Sequence, residues 1–326
     1  MSDRRLARYA GTLACFLALA TPTPQAAAQP RAWPAEPITL VVPYAPGGTT
    51  DRLAREYADY LREHLKQPVL VQNRPGASTN IGSDYVVKSK PDGYTFLVGI
   101  DGLATNQATG PVPPFDPAMD LAPISLLTRV PCLVAAGPKF KGGDAAELIK
   151  LARTDPEKYS ISSASLILQV GMLNRGSEMR LSHIPYKGGA QAAADAMGGQ
   201  VDLVIANVPV LASFVRSGKL RALAVTSGKR SDAFPDTPTM LESGMSKSDF
   251  SNWYGVFGPK GTPPEVVERM AALSRDFVRD PVINKRLSDE GYQLESSTPQ
   301  ALAELIVRDA HNASEFVKAN PGLFKQ

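Results

Sequence analysis

Ile38-Thr39-Leu40-Val41-Val42-Pro43-Tyr44-Ala45-Pro46-Gly47-Gly48-Thr49-Thr50-Asp51 is the stretch on which the fold turns. A short β-prone run enters a turn rich in Pro and Gly, and Thr49 or Thr50 stands where a helix cap is needed. Beyond it Leu53, Ala54, Tyr57, Ala58, Leu61 and Leu65 recur at intervals of three and four. That period predicts an amphipathic helix over about 51–66. Strand, glycine turn and helix form the opening unit of an α/β sheet.

The alternation continues. Val69-Leu70-Val71 reads as a strand, Asn73-Arg74-Pro75-Gly76 as a turn and 81–88 as a helix. Pro91-Asp92-Gly93 turns into a strand at 94–98. Residues 107–123 are rich in Pro and read as irregular, ahead of a strand near 124–128. Helices at 144–152, 168–174, 190–197 and 210–217 then interleave with strands at 159–163, 183–185, 201–206 and 220–226. A Pro/Ser/Gly-rich connector over 231–251 precedes a strand at 253–257, and a helical tail begins at Pro263-Pro264-Glu265. The pattern predicts an α/β fold with parallel strand pairs.

The first residues bear on compartment. Arg4, Arg5 and Arg8 lead an apolar run from Ala10 to Ala20, and Ala26-Ala27-Ala28 suits cleavage before Gln29. This predicts a signal peptide and export to the periplasm, because the run is too short to span a bilayer. A lipid anchor at Cys15 fits less well, since Thr12-Leu13-Ala14 is a poor lipoprotein box. Cleavage takes the formal charge from +3 to +1 by removing three Arg and one Asp. A near-neutral chain has no basic field for nucleic acid or an anionic membrane. The remaining chain, about 298 residues, exceeds what one core usually organises. The expected division is a signal peptide at 1–28, a first lobe at 29–130, a second lobe at 131–250 and a return to the first lobe at 251–326.

Only Cys132 would survive maturation, which excludes an intramolecular disulfide. Cys132 and the three His, at 64, 183 and 311, have no zinc-site spacing, so no metal is expected. Nothing calls for a cofactor. No G-x-S-x-G, S-x-x-K or H-E-x-x-H occurs, and no catalytic residue is assigned, although triads assemble in space rather than in sequence. Tyr186-Lys187-Gly188-Gly189 reads as a turn into the next helix.

Ligand chemistry centres on the opening turn. Unpaired N–H groups at a helix start carry partial positive charge and bind anions, glycine lets backbone approach closely, and the Thr hydroxyls add donors. Tyr44, Ala45, Gly47, Gly48, Thr49, Thr50 and Asp51 are therefore candidate ligand-binding residues. The same residues also read as a tight βα turn with Thr or Asp merely capping the helix, and spacing alone does not separate the two. The turn is not a P-loop or a dinucleotide fingerprint. Ser162, Ser163 and Ser165 after one later strand, and Asn207 after another, share its topological position, since ligands of open α/β sheets gather at the carboxyl ends of strands.

The run from Val42 through Arg55 resembles the first signature of the Bug-type receptors, the substrate-binding proteins of tripartite tricarboxylate transporters. So do Asn73-Arg74-Pro75-Gly76-Ala77, Pro91-Asp92-Gly93-Tyr94-Thr95 and Ile184-Pro185-Tyr186-Lys187-Gly188-Gly189. Gly199-Gln200-Val201-Asp202-Leu203, the run from Gly218 to Thr226, and Gly261-Thr262-Pro263-Pro264 extend the likeness across the mature chain in order. The resemblance implies a two-lobed type II periplasmic binding protein fold with the ligand cleft between lobes. It implies a small carboxylate held by first- and second-lobe βα loops, lobe closure, and delivery to membrane permease subunits. A monomer is expected.

The chain also departs from that family. Ser162-Ser163-Ala164-Ser165-Leu166-Ile167-Leu168-Gln169-Val170-Gly171 replaces a Gly-x-Gly-Ser type loop and its helix. Ala206-Asn207 replaces Asp-Asn, and Asp101-Gly102-Leu103-Ala104-Thr105 replaces a Gly-Thr-His loop. Leu166, Ile167 and Leu168 would supply an apolar wall favouring an aromatic or longer aliphatic carboxylate. Asp101, also a candidate ligand-binding residue, would repel a second carboxylate or receive a ligand amine. Two other classes share this pattern: a ligand sensor for a membrane signalling partner and, with less support, a secreted α/β enzyme.

Overall fold

The computed structural model describes residues 32–110, 112–164, 166–247 and 249–323. The leader, with Cys15 and the cleavage site, and Ser165 lie outside the described residues. From Trp33 onward the chain forms one compact unit.

The order of elements begins β1 (Ile38–Val42), α1 (Thr49–Leu65), β2 (Val69–Asn73), α2 (Asn80–Val87), β3 (Thr95–Ile100), α3 (Gly102–Thr109) and α4 (Pro117–Asp120). Next come β4 (Leu121–Ala136), α5 (Ala145–Thr154), β5 (Ser160–Ala164), α6 (Ile167–Ser177), β6 (Ser182–Tyr186), α7 (Gly189–Met197), β7 (Leu203–Asn207), α8 (Val208–Arg216) and β8 (Arg221–Val225). The chain closes with β9 (Ser251–Pro259), α9 (Pro264–Arg279), α10 (Pro281–Asp289), β10 (Gln293–Leu294) and α11 (Pro299–Ala319). Among the described residues no helix is long and apolar enough to cross a membrane.

Strands are hydrogen-bonded in the order β2-β1-β3-β9-β4-β7-β5-β6, with β8 and β10 also paired to β4. The pairs β1/β2, β1/β3, β5/β6 and β5/β7 are parallel, each reached through a helical crossover, as the strand–helix alternation predicts. β4 joins the two halves of the sheet. Leu121 to Pro131 pair with β9, and Cys132 to Ala136 pair with β7. The stretch read as irregular to 123 therefore ends in the short α4 and the start of this 16-residue strand. Pro123 and Pro131 hid the strand's length, but each lies at a shift or end of the β9 register, where a missing N–H is tolerated.

Each half is buried on both faces, which the period of two in the strands dictates. Leu40 and Val42 face one core, with Leu53, Tyr57 and Leu61 of α1 and Met270 and Phe277 of α9. Val41 faces the opposite core with Leu97, Trp253, Phe257 and Leu302 of α11. Along β4, Cys132, Val134 and Ala136 meet Leu148 of α5 and Leu173 of α6, while Leu133 and Ala135 meet Ala192 and Ala193 of α7 and Leu211 of α8. Leu166, expected as part of an apolar ligand wall, belongs to the core of Cys132, Val134, Leu148 and Leu173, and Leu168 is also buried. Both apolar side chains are removed from water by the fold itself.

The C-terminal segment packs on the first half. Tyr57 and Ser274 share a buried 2.7 Å hydrogen bond, Tyr292 Oη donates to the Thr49 carbonyl at 3.1 Å, and Arg52 bonds Glu290 at 2.9 Å. Glu56 also takes hydrogen bonds from Arg52 and Arg286. These contacts fix the N-terminal half of α1 from behind.

Candidate functional site

The turn between β1 and α1 is locked by the residues that compose it. Gly47 sits at φ +85°, a conformation that disfavours other residues, and directs its N–H to Asp51 Oδ2 at 3.0 Å. Asp51 also accepts from Arg55 Nε and Nη2, at 3.0 and 2.9 Å, and from Asn73 Nδ2 at 2.9 Å. Asn73 Nδ2 reaches the Tyr44 carbonyl at 3.1 Å as well, tying the end of β2 to the turn. Burial alone would raise the Asp51 pKa, but the hydrogen bonds from Arg55, Gly47 and Asn73 prevail and hold it below the usual carboxylate range. Asp51 is thus a brace for the turn. Gly82 of α2 packs beneath it, where a Cβ would stand 2.7 Å from the Arg74 carbonyl oxygen and 2.9 Å from Pro43.

No side chain caps α1. The first backbone bond there runs from Arg52 N–H to the Gly48 carbonyl at 3.0 Å, so the preceding N–H groups lie ahead of the helical ladder. Gly48 has extended backbone, and Thr49, Thr50 and Asp51 are buried. Ala45 is exposed, and Tyr44, partly covered, packs against the first core. Burial and the charge of Asp101 push the Tyr44 hydroxyl up.

A polar cluster joins this helix start to the second half of the sheet. Asn207, at the end of β7, donates from Nδ2 to Tyr254 Oη at 2.6 Å and lies 3.4 Å from Thr49 Oγ1. Its Oδ1 accepts from Asn252 Nδ2 at 2.7 Å and faces Cys132 Sγ at 3.4 Å. Gln169, in the first turn of α6, donates from Nε2 to Asn252 Oδ1 at 3.1 Å and to Asp101 Oδ2 at 3.3 Å. The members come from α1, the end of β3, β4, α6, β7 and β9. Thr49, Asp101, Gln169 and Asn207 all follow or end strands β1, β3, β5 and β7 at their carboxyl ends, where the sheet topology collects ligands.

Asp101 is 9% exposed. Burial, reinforced by the charge of Asp309, pushes its carboxyl up to about 7, against hydrogen bonds from the Gly102 and Asp101 N–H groups and Gln169. Burial and Asp101 together also raise the Cys132 thiol and the Tyr254 hydroxyl. Among the described residues no group of three His, Cys, Asp or Glu is placed to hold a metal ion.

The candidates from sequence divide. Thr49 and Asn207 meet directly, Asp101 joins them through Gln169 and Asn252, and Gly47, Gly48, Thr50, Asp51 and Tyr44 frame the same turn. Ser162 and Ser163 do not join them. The Ser162 hydroxyl is fully buried within 3.1 Å of the Ala192 and Leu203 carbonyls, so it bonds inside the half rather than toward α1. Ser163 Oγ lies 2.8 Å from His183 Nε2 on the neighbouring strand, and its full burial keeps it from acting as an open nucleophile. Tyr186 Oη donates to Asp195 of α7 at 2.6 Å, which is a turn contact. Gln169, Asn252, Tyr254 and Cys132 carried no local signal. A polar residue inside an otherwise apolar strand, as at Asn252 beside Trp253 and Tyr254, was the one available hint.

The family model described as tripartite tricarboxylate transporter family receptor matches residues 53–321. Protein BugT of Bordetella pertussis is 36% identical over 275 residues, covering 82% of this chain and 84% of its own length. The structure of periplasmic binding protein BugD superposes with a TM-score of 0.80 at 33% identity, covering 90% of this chain and 100% of that one. An R. palustris protein solved with adipate gives a TM-score of 0.83 at 32% identity, covering 88% and 97%. Sequence and fold agree over most of the chain, and the protein belongs to the tripartite tricarboxylate transporter receptors, the Bug-type solute-binding proteins.

Proposed function

We propose that this chain is a periplasmic receptor that captures a small carboxylate and delivers it to the permease subunits of a tripartite transporter. Residues 29–130 together with 251–326 act as one lobe and residues 131–250 as the other, and the two close on the ligand. The carboxylate sits on the first-turn N–H groups of α1 and the Thr49 and Thr50 hydroxyls, with Asn207 and Gln169 meeting it from the second lobe. The observation that carries this reading is the hydrogen-bonded bridge from Thr49 and Asp101 to Asn207 and Gln169, beside a helix start with no side-chain cap. The adipate-bound relative supports the ligand class. Binding and release without turnover is the proposed action, and a cleaved leader at 1–28 is the proposed route of export.

A thermal-shift panel of mono-, di- and tricarboxylates, amino acids, sugars and cations tests it. A true ligand at a hundredfold excess over its Kd stabilises by about 2.7 kcal/mol. Stabilisation by a neutral sugar or a cation, with none from any carboxylate, would overturn the reading.

A further inference from the structure

Asp101 stands out among the buried groups because nothing positive answers it. It closes the turn between β3 and α3, and among the described residues its side-chain hydrogen-bond partner is the neutral Gln169 amide at 3.3 Å. Among the described residues no Lys, Arg or His forms an ion pair with it, whereas Asp51, also buried, holds Arg55 at 2.9 Å. The charged group acting on Asp101 is Asp309, a second carboxylate, which accepts from Trp253 Nε1 at 2.8 Å. Tyr44, Cys132 and Tyr254, which feel the charge of Asp101, bring no positive charge. A buried carboxylate with no countercharge is costly, and a ligand that supplies one recovers that cost on binding.

Its position connects that charge to the site. Four contacts, Thr49 to Asn207, Asn207 to Asn252, Asn252 to Gln169 and Gln169 to Asp101, run from the start of α1 to this carboxylate. The two ends have opposite character: N–H groups and hydroxyls at α1, an uncompensated acid at Asp101.

We propose that Asp101 is the subsite for a ligand ammonium group, so that the receptor selects amino-carboxylates over plain mono- and dicarboxylates. This rests on the reading of the α1 start as the carboxylate site. The ligand's carboxylate sits on α1, its ammonium group bonds Asp101, and a second carboxylate at that place meets like charge from both Asp101 and Asp309. Gln169 holds the acid until the ligand arrives.

Calorimetric titration of the purified protein near pH 8 compares matched pairs: propanoate with alanine and β-alanine, butanoate with γ-aminobutyrate, and hexanoate with ε-aminohexanoate. At least one aminated compound is expected to bind about tenfold or more tightly than its parent acid. Asp101→Asn should abolish that preference, bringing each aminated compound to within about twofold of its parent acid in the same variant. If the variant does not fold, repeating the wild-type comparison near pH 5.5, below the raised pKa of Asp101, should show the preference shrink. The proposal is overturned if no aminated compound exceeds its parent, or if the preference survives both in Asp101→Asn and at the lower pH. Parent acids binding as well as their amines would sink the ammonium subsite alone. Binding of no carboxylate of either kind would sink the carboxylate site with it.

Discussion

Asn207 at the end of β7 donates a 2.6 Å hydrogen bond to the buried hydroxyl of Tyr254 on β9, so a residue of one half of the sheet is fastened to a strand of the other. The same amide takes the Asn252 side chain on its oxygen. Replacing it strands two buried polar partners. Asn207→Leu is expected to destabilise the protein by about 1–3 kcal/mol in urea unfolding. An unchanged midpoint and slope would show that the bridge is not maintained in solution.

Asp51 makes a different test, because its carboxylate braces the turn rather than the bridge. Asp51→Ala removes the acceptor for Gly47, Arg55 and Asn73 together. The expected result is a loss of about 1–3 kcal/mol in stability and about tenfold or more in ligand affinity, measured by unfolding and by titration. Affinity equal to the parent protein would separate the brace from the site.

The two buried acids impose opposite pH dependences. The Asp101 carboxyl is pushed up to about 7, so the folded protein keeps a proton there that the unfolded chain releases above its ordinary pKa near 3.8. Its contribution therefore favours folding at low pH, and stability falls as pH rises from about 4 to about 7. Asp51, held below the usual range, contributes stability that is present above its unfolded pKa and lost as pH falls through its folded value. Asp101→Asn should flatten the decline between about pH 4 and 7 and leave the acid limb in place. An unaltered slope in that window would mean Asp101 titrates normally.

Gly82 tests the support beneath the turn. A methyl group there would press on the Arg74 carbonyl and Pro43, which are backbone and ring atoms with little room to give. Gly82→Ala is expected to cost about 1–3 kcal/mol and to weaken ligand binding. A neutral effect on both would show that α2 can move away from the turn freely.

What the sequence disclosed follows the range of the interactions involved. β1, the Gly47-Gly48 turn and α1 were legible because a β-prone run, a positive-φ glycine and a 3.6-residue period are all local signals. The sixteen residues of β4 were not, since pairing with different neighbours along one strand leaves no periodic trace. Asn207 was legible from its place after an apolar strand. Gln169 and Asn252 were not, because their hydrogen bonds span separations of 68, 83 and 45 residues along the chain. Ser162 misled for a related reason: strand alternation turns it toward Ala192 and Leu203, and the loop composition around it does not record which way.

The central claim is that the backbone at the start of α1 holds the ligand's carboxylate, and Thr49→Pro tests it most directly. Thr49 is the first residue of the helix, where proline is favoured, and the extended backbone of Gly48 accommodates a following proline. The substitution removes one N–H that the helix does not use, while the Tyr292 bond to the Thr49 carbonyl can remain. Thr49→Val serves as the control, losing the hydroxyl but keeping the N–H. Calorimetric titration with the tightest carboxylate from the thermal-shift panel should show affinity about tenfold or more weaker in Thr49→Pro than in Thr49→Val, with both variants folded. Equal affinity in the two folded variants would contradict the account.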